Sequence, residues 1–222
     1  MKAIRTSTCC TVAMLVLAVV SLLLSAPAFA QNTPTGPFGF SKGMTRGQII
    51  ALVGNDAVKD SPGHPDQLFV TVAPIPNHVF ESYILVISPT QGLLKVVAIG
   101  RNIATEDTGS ALMLQFNTLV TAVSAKYGQA NTHNTCNRDT PGQAAVCDNP
   151  HDFMIEVADE QRNVSAYWLN VHINGVVGVG AVLYAEKSSV LTANPTGWIT
   201  LGYEFEGFDQ YEDGLAHGDR RS

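Results

Sequence analysis

Residues 198–208 constrain the fold more than any other stretch. Trp198, Thr200, Gly202 and Glu204 alternate there with Ile199, Leu201, Tyr203 and Phe205. Successive side chains of a strand point to opposite faces, so this pattern buries one face and leaves the other in water, as antiparallel sheets do. Other runs agree with it. Residues 68–73 read as a short strand that stops at Pro74 and Pro76, and 83–87 with 93–99 as a hairpin across Ser88-Pro89-Thr90-Gln91-Gly92. Residues 153–157, 164–171 and 176–185 read as further strands, and 55–66, rich in Asp, Gly and Pro, as a loop.

Two segments carry helical spacing instead. Met44, Gln48, Ile49, Leu52 and Val53 form one stripe, with Thr45 as N-cap, Gln48 as its capping-box partner and Gly54 at the C-terminus. Leu112, Phe116, Leu119, Val120, Val123 and Tyr127 form a second. Asp107, Thr108 and Ser110 offer N-caps to this helix, and Gly128 closes it. Strands in clusters, rather than alternating singly with helices, predict an α+β fold: a mainly antiparallel sheet with two helices packed on one face. A single domain over 38–208 is expected, with a flexible polar leader at 31–37 and a loose tail at 209–222.

Residues 1–30 read as a cleavable secretory signal. Lys2 and Arg5 make a positive start, residues 12–24 are almost wholly apolar, and Ala28-Phe29-Ala30 places the cut between Ala30 and Gln31. An apolar run of roughly 13 residues is shorter than the ~20 that a spanning helix needs. No cysteine follows it to accept a lipid, so the expected product is periplasmic or secreted, with neither membrane span nor lipid anchor. Cys9 and Cys10 leave with the signal. Cys136 and Cys147 remain and, in an oxidising compartment, are expected to pair. Closing that loop of about 12 residues is worth roughly 3 kcal/mol in the chain-entropy model. Removing Lys2 and Arg5 leaves 11 basic against 19 acidic residues, a net charge of −8, without basic clusters. That balance argues against nucleic acid or anionic lipid as partner.

The segment from Phe40 to Gly54, Phe-Ser-Lys-Gly-Met-Thr-Arg-Gly-Gln-Ile-Ile-Ala-Leu-Val-Gly, resembles the start of β-lactamase-inhibitor-like modules, including the small outer-membrane-assembly lipoproteins of the SmpA/OmlA type. The resemblance implies a helical start packed on an antiparallel sheet, and a role in binding proteins rather than in catalysis. This chain departs from the lipoproteins in lacking a lipidated cysteine and in being about twice the size of one module. Phe80-Glu81-Ser82-Tyr83, Ile87-Ser88-Pro89-Thr90-Gln91-Gly92-Leu93 and Leu201-Gly202-Tyr203-Glu204-Phe205-Glu206-Gly207-Phe208 look like a group of exported bacterial proteins of unassigned function.

Catalytic templates fit poorly. His64, His78, His133, His151, His172 and His217 have no zinc-helix or finger spacing, so no metal or cofactor is expected. Gly175-Val176-Val177-Gly178-Val179-Gly180 lacks both the order and the following helix of a phosphate loop, and its glycines suit bulges or close sheet packing. There is no G-x-S-x-G, and Gly109-Ser110-Ala111 reads as a helix cap. Glu204 and Glu206, two apart on a strand, have the spacing of a carboxylate pair but sit in an acidic stretch that suits a solvated edge. Of the aromatics, Phe38, Phe40, Trp168, Trp198, Tyr203, Phe205, Phe208 and Tyr211 are core by default, and a few at strand ends suit a protein-binding patch. The leading expectation is an exported, non-catalytic protein that binds another protein or a cell-envelope component. The alternative is a small hydrolase using histidines and acids around 64–81 and 148–152.

Overall fold

The computed structural model describes residues 36–136 and 149–218, with side chains to Leu215. The signal, its cleavage site at Ala30 and Gln31, Cys147 and most of the leader lie outside the described residues. Nine strands of the described residues form one antiparallel sheet: β1 (Val58–Ser61), β2 (His64–Val70), β3 (Phe80–Ser88), β4 (Gly92–Gly100), β5 (Ile103–Ala104), β6 (Asn131–Cys136), β7 (Arg162–Ile173), β8 (Val176–Ala185) and β9 (Thr196–Phe205). Among the described residues four α-helices accompany it: α1 (Arg46–Val53), α2 (Ser110–Tyr127), α3 (Phe153–Ala158) and α4 (Phe208–Gly218). The α+β architecture with a mainly antiparallel sheet is as the sequence predicts. Two helices are too few.

The order across the sheet is β1-β2-β3-β4-β9-β8-β7-β6, with the short β5 paired to β9. Each side of the β4–β9 seam is therefore a helix followed by a four-stranded run, α1 with β1–β4 and α2 with β6–β9. The two helices also end alike. Gly54 (φ 87, ψ 150) and Gly128 (φ 90, ψ −168) each turn the chain out of the helix in a region that an L side chain rarely adopts. Strands begin four and three residues later. The second half differs in carrying α3 between its first two strands.

Alternation in β9 falls as the sequence requires. Ile199, Leu201, Tyr203 and Phe205 are buried, while Trp198, Thr200, Gly202 and Glu204 are half-buried on the other face. The buried set joins Val96, Ala98, Val179, Ala181, Ala166 and Trp168 in the main core. Ile49 of α1, Leu112, Phe116, Leu119 and Val123 of α2, and Phe153, Met154 and Val157 of α3 belong to the same cluster. The Trp168 ring nitrogen donates to the Gly128 carbonyl at 3.0 Å and to Ser124 Oγ at 3.2 Å, so its polar atom is not left unpaired. At the first helix, Thr45 and Gln48 make the reciprocal capping box.

Four local expectations are corrected. Residues 153–157 form helix α3 rather than a strand, because Phe153, Met154 and Val157 reach the core from one side of a helical turn. Residues 55–66 are not a loop: β1 and the start of β2 pair across Pro62-Gly63. The strand placed at 68–73 is β2, running from His64 to Val70. Residues 208–218 are helical rather than loose, and Phe208 packs with Val86 and Leu94 in a cluster apart from the main core.

Candidate functional site

The face of the sheet opposite the main core is built by register. One cross-sheet row reads Phe69, Ile84, Val97, Gly202, Gly180 and Tyr167. The next reads Val86, Lys95, Glu204, Gly178 and Leu169, with a shift of pairing beside β7 and β8. A third carries Ile99, Thr200, Val182 and Ser165, and a fourth Trp198 and Tyr184. Three glycines in the centre, Gly178, Gly180 and Gly202, remove side chains from the middle of this surface. The result is a depression of about 280 Å³ walled by Tyr167, Leu169, Val97, Val182, Lys95 and Glu204.

Lys95 and Glu204 form one end of the depression: Lys95 Nζ lies 2.9 Å from Glu204 Oε1 and 4.3 Å from the centroid of Phe208. Outside it, beyond the Thr200–Val182 row, the Tyr184 and Trp198 rings stack with centroids 5.5 Å apart and border a separate groove. Leu169 stands on the rim at 65% exposed. The glycines differ in the space they leave. A Cβ on Gly180 would meet the Tyr167 ring at 3.3 Å, whereas one on Gly202 meets nothing closer than 3.8 Å. Apolar walls, the Tyr167 ring and a single charge pair make a surface suited to receiving apolar side chains.

The sequence-derived candidates fall elsewhere or are otherwise engaged. Glu204 and Glu206 do not act as a carboxylate pair: Glu204 is held by Lys95, and Glu206 by Lys42 at 2.8 Å. The hydrogen bond from Lys42, with its charge, pulls the Glu206 carboxyl below the ordinary carboxylate range. His64, His78, His133, His151 and His172 are all exposed. His64 borders an open groove with Arg46, Asp66 and Tyr211, and Arg46 is itself paired with Asp60. His151 Nδ1 instead meets Asp107 Oδ2 at 2.8 Å, with their side chains 66% and 54% exposed. Beside it, Ser110 Oγ donates to Glu106 at 2.5 Å, which holds the Glu106 carboxyl low. That hydroxyl is committed to a carboxylate, and the His151–Asp107 pair ties the start of α2 to the turn before α3. Met154 N donating to the Asp107 carbonyl at 3.0 Å is part of the same join. Gly109 (φ 66) permits it, since a Cβ there would lie 2.4 Å from the Phe153 ring.

Among the described residues no group of three or more His, Cys, Asp or Glu side chains is placed to hold a metal ion. No helix among them is long and apolar enough to cross a membrane. Cys136 ends the edge strand β6 opposite Arg162, while its expected partner, Cys147, is not among the described residues.

Buried charge occurs at α3. Glu156 is fully buried, and its Oε2 accepts from Arg162 Nε at 2.6 Å, while Oε1 has no hydrogen-bond partner among the described residues. Arg162 also donates to Asn134 Oδ1 at 2.9 Å and lies over the Phe153 ring. Sequence reasoning missed this pair because its members, six apart, were assigned to a strand and a loop. It missed the depression because its walls come from strands β4, β7, β8 and β9, which only the long-range register brings together. The alternation in β9 and the Gly-x-Gly spacing in β8 were its visible signals. Compared with protein-family models, with curated proteins and with solved structures, the chain matches none.

Proposed function

We propose that this is an exported, non-catalytic binding protein whose partner, another protein or a cell-envelope component, docks on the open face of the nine-stranded sheet. One observation carries the reading. A large sheet keeps one face free of the main helical layer, and that face holds a glycine-floored depression with apolar and aromatic walls. Soluble domains rarely leave such a surface without use. The helix-plus-four-strand halves also accord with a chain about twice the size of a β-lactamase-inhibitor-like module, for which protein binding is the implied role. Export through cleavage between Ala30 and Gln31, and a Cys136–Cys147 bond, belong to the same reading.

The test places a photo-crosslinking side chain at Leu169, on the rim of the depression, and a control at Leu52, which is 46% exposed on α1. Irradiation of intact host cells should give one discrete adduct from position 169 and none from 52. Equal or absent capture at both positions would remove the reading. The thiol assignment is checked separately, by titrating the mature protein without reductant. No free thiol is expected, and two would contradict the disulfide.

A further inference from the structure

The sheet face that carries the depression is open at one end and covered at the other. Phe208 of α4 packs on Val86 and Leu94. Val86 lies in the same cross-sheet row as Lys95, Glu204 and Gly178, so the cover sits on a continuation of the proposed docking surface. The contact is direct, because Lys95 faces the Phe208 ring at 4.3 Å while pairing with Glu204 in the wall of the depression.

Among the described residues, α4 meets the sheet through the Phe208 and Tyr211 rings. It has 11 residues, a length at which a helix has little stability of its own, and Gly214 in its interior lowers that further. It leaves β9 through Gly207, whose φ of +100° gives a sharp change of direction. Beyond Phe208 its attachment includes the Tyr211 ring, packed on the same cluster, and a hydrogen bond from the Tyr211 hydroxyl to Asp66 at 3.1 Å. Leu215, 52% exposed, borders an open groove of about 810 Å³ with Pro65, Ile87 and Pro89 rather than sealing it. Few buried apolar contacts on a short terminal helix describe an element that opens locally, well before the sheet does.

We infer that α4 is a displaceable cover and that the docking surface continues beneath it to Val86 and Leu94, where it receives a partner segment carrying an aromatic side chain flanked by carboxylates. The inference rests on the docking role proposed above and adds the chemistry of the occupant. That chemistry is the one α4 brings in cis: Phe208 fills the site, with Asp209 and Glu212 close in sequence. The Val86–Leu94 patch takes the ring edge, and Lys95 takes its face as a cation–π contact.

The test uses the full mature chain and two readouts that need no partner. In hydrogen exchange, α4 amides should exchange at least about tenfold faster than those of β4 and β9, through local opening. The second readout is binding of 1-anilinonaphthalene-8-sulfonate, an aromatic anion with the two features assigned to the occupant. Phe208→Ala should raise dye fluorescence severalfold at an unchanged sheet signal in circular dichroism, and Lys95→Met added to it should lower the gain. Tyr211→Phe, which removes the hydrogen bond to Asp66 and keeps the ring on the patch, should act in the same direction by a smaller amount and serves if Phe208→Ala fails to fold. Exchange of α4 only on global unfolding, or no gain of dye in either folded variant, overturns the inference. Those failures leave crosslinking at Leu169 untouched, so they are separable from failure of the docking role.

Discussion

The two faces of this sheet are made by the same strands and yet are different materials. On β9, Leu201 and Tyr203 are buried against the helices, while Gly202 between them has almost no neighbour where a side chain would start. On β8, Val179 and Ala181 are core, and Gly180 between them is trough floor. Burial on one face supplies the stability, and this leaves the other free to be shaped by absence of side chains. Glycine weakens a strand interior, so three of them on two neighbouring strands, Gly180 directly opposite Gly202, are a cost that the packed face must offset. The difference teaches where to look for function. The proposed docking role places it on the face that contributes least to folding.

The comparison can be broken most forcefully from the packed side. Trp168→Ala removes the largest fully buried side chain and both acceptors' donor, and should cost about 3–5 kcal/mol in denaturant unfolding. A loss under 1 kcal/mol would mean that this face is not the core described here. Next in size is Arg162→Met, which strips the fully buried Glu156 carboxylate of its charged partner. It should cost about 3 kcal/mol, because an uncompensated buried charge is left behind. Thermal unfolding of the single variant beside Arg162→Met/Glu156→Leu checks the cause, since the double variant should recover much of the loss.

The smallest effect concerns α4. Burial first, and the Asp66 carboxylate next, push the Tyr211 phenol above its ordinary value. The docked helix thus holds that proton more tightly than the open one. Its contribution is fully present below the usual tyrosine pKa of about 10 and is lost as pH rises through the raised value. Tyr211→Phe should cost under about 1 kcal/mol near neutral pH. It should also flatten the rise of dye binding between about pH 9 and pH 12. An identical alkaline rise in the variant would place its origin elsewhere, for instance at Tyr83 or Tyr203, whose phenols burial also raises.

How far the sequence reached follows from the same physics. β9 was legible because one face is core and the other is not, so its pattern has period two. α1 was legible from its capping box, Thr45 with Gln48, although Leu52 of its stripe is exposed. α2 was legible from its stripe, Leu112 through Val123, although its N-cap is Gly109, with no capping side chain, and not Asp107, Thr108 or Ser110. β6 was not. Its six residues are almost entirely exposed at a sheet edge, and a strand with no buried face writes no pattern. α3 was mistaken because a short segment with five apolar residues in six fits either period. Only the buried Glu156–Arg162 pair and the packing of Phe153 decide for the helix. α4 carries a stripe of Phe208, Tyr211 and Leu215 too sparse to stand alone, and what forms it is a sheet face that lies far away in sequence. The depression was hidden for a related reason, since its glycines and walls become one surface only after β4 and β8 pair with β9.

The central claim is that the glycine-floored face is where a partner docks. Gly202→Leu tests it most directly, because the position has a β-strand backbone and open space above it, so the side chain fills the depression without entering the core. With the crosslinking side chain at Leu169 in both proteins, the account predicts an unfolding free energy unchanged within about 1 kcal/mol and loss of the adduct in Gly202→Leu. A variant that remains folded and is captured as efficiently as the parent would contradict it.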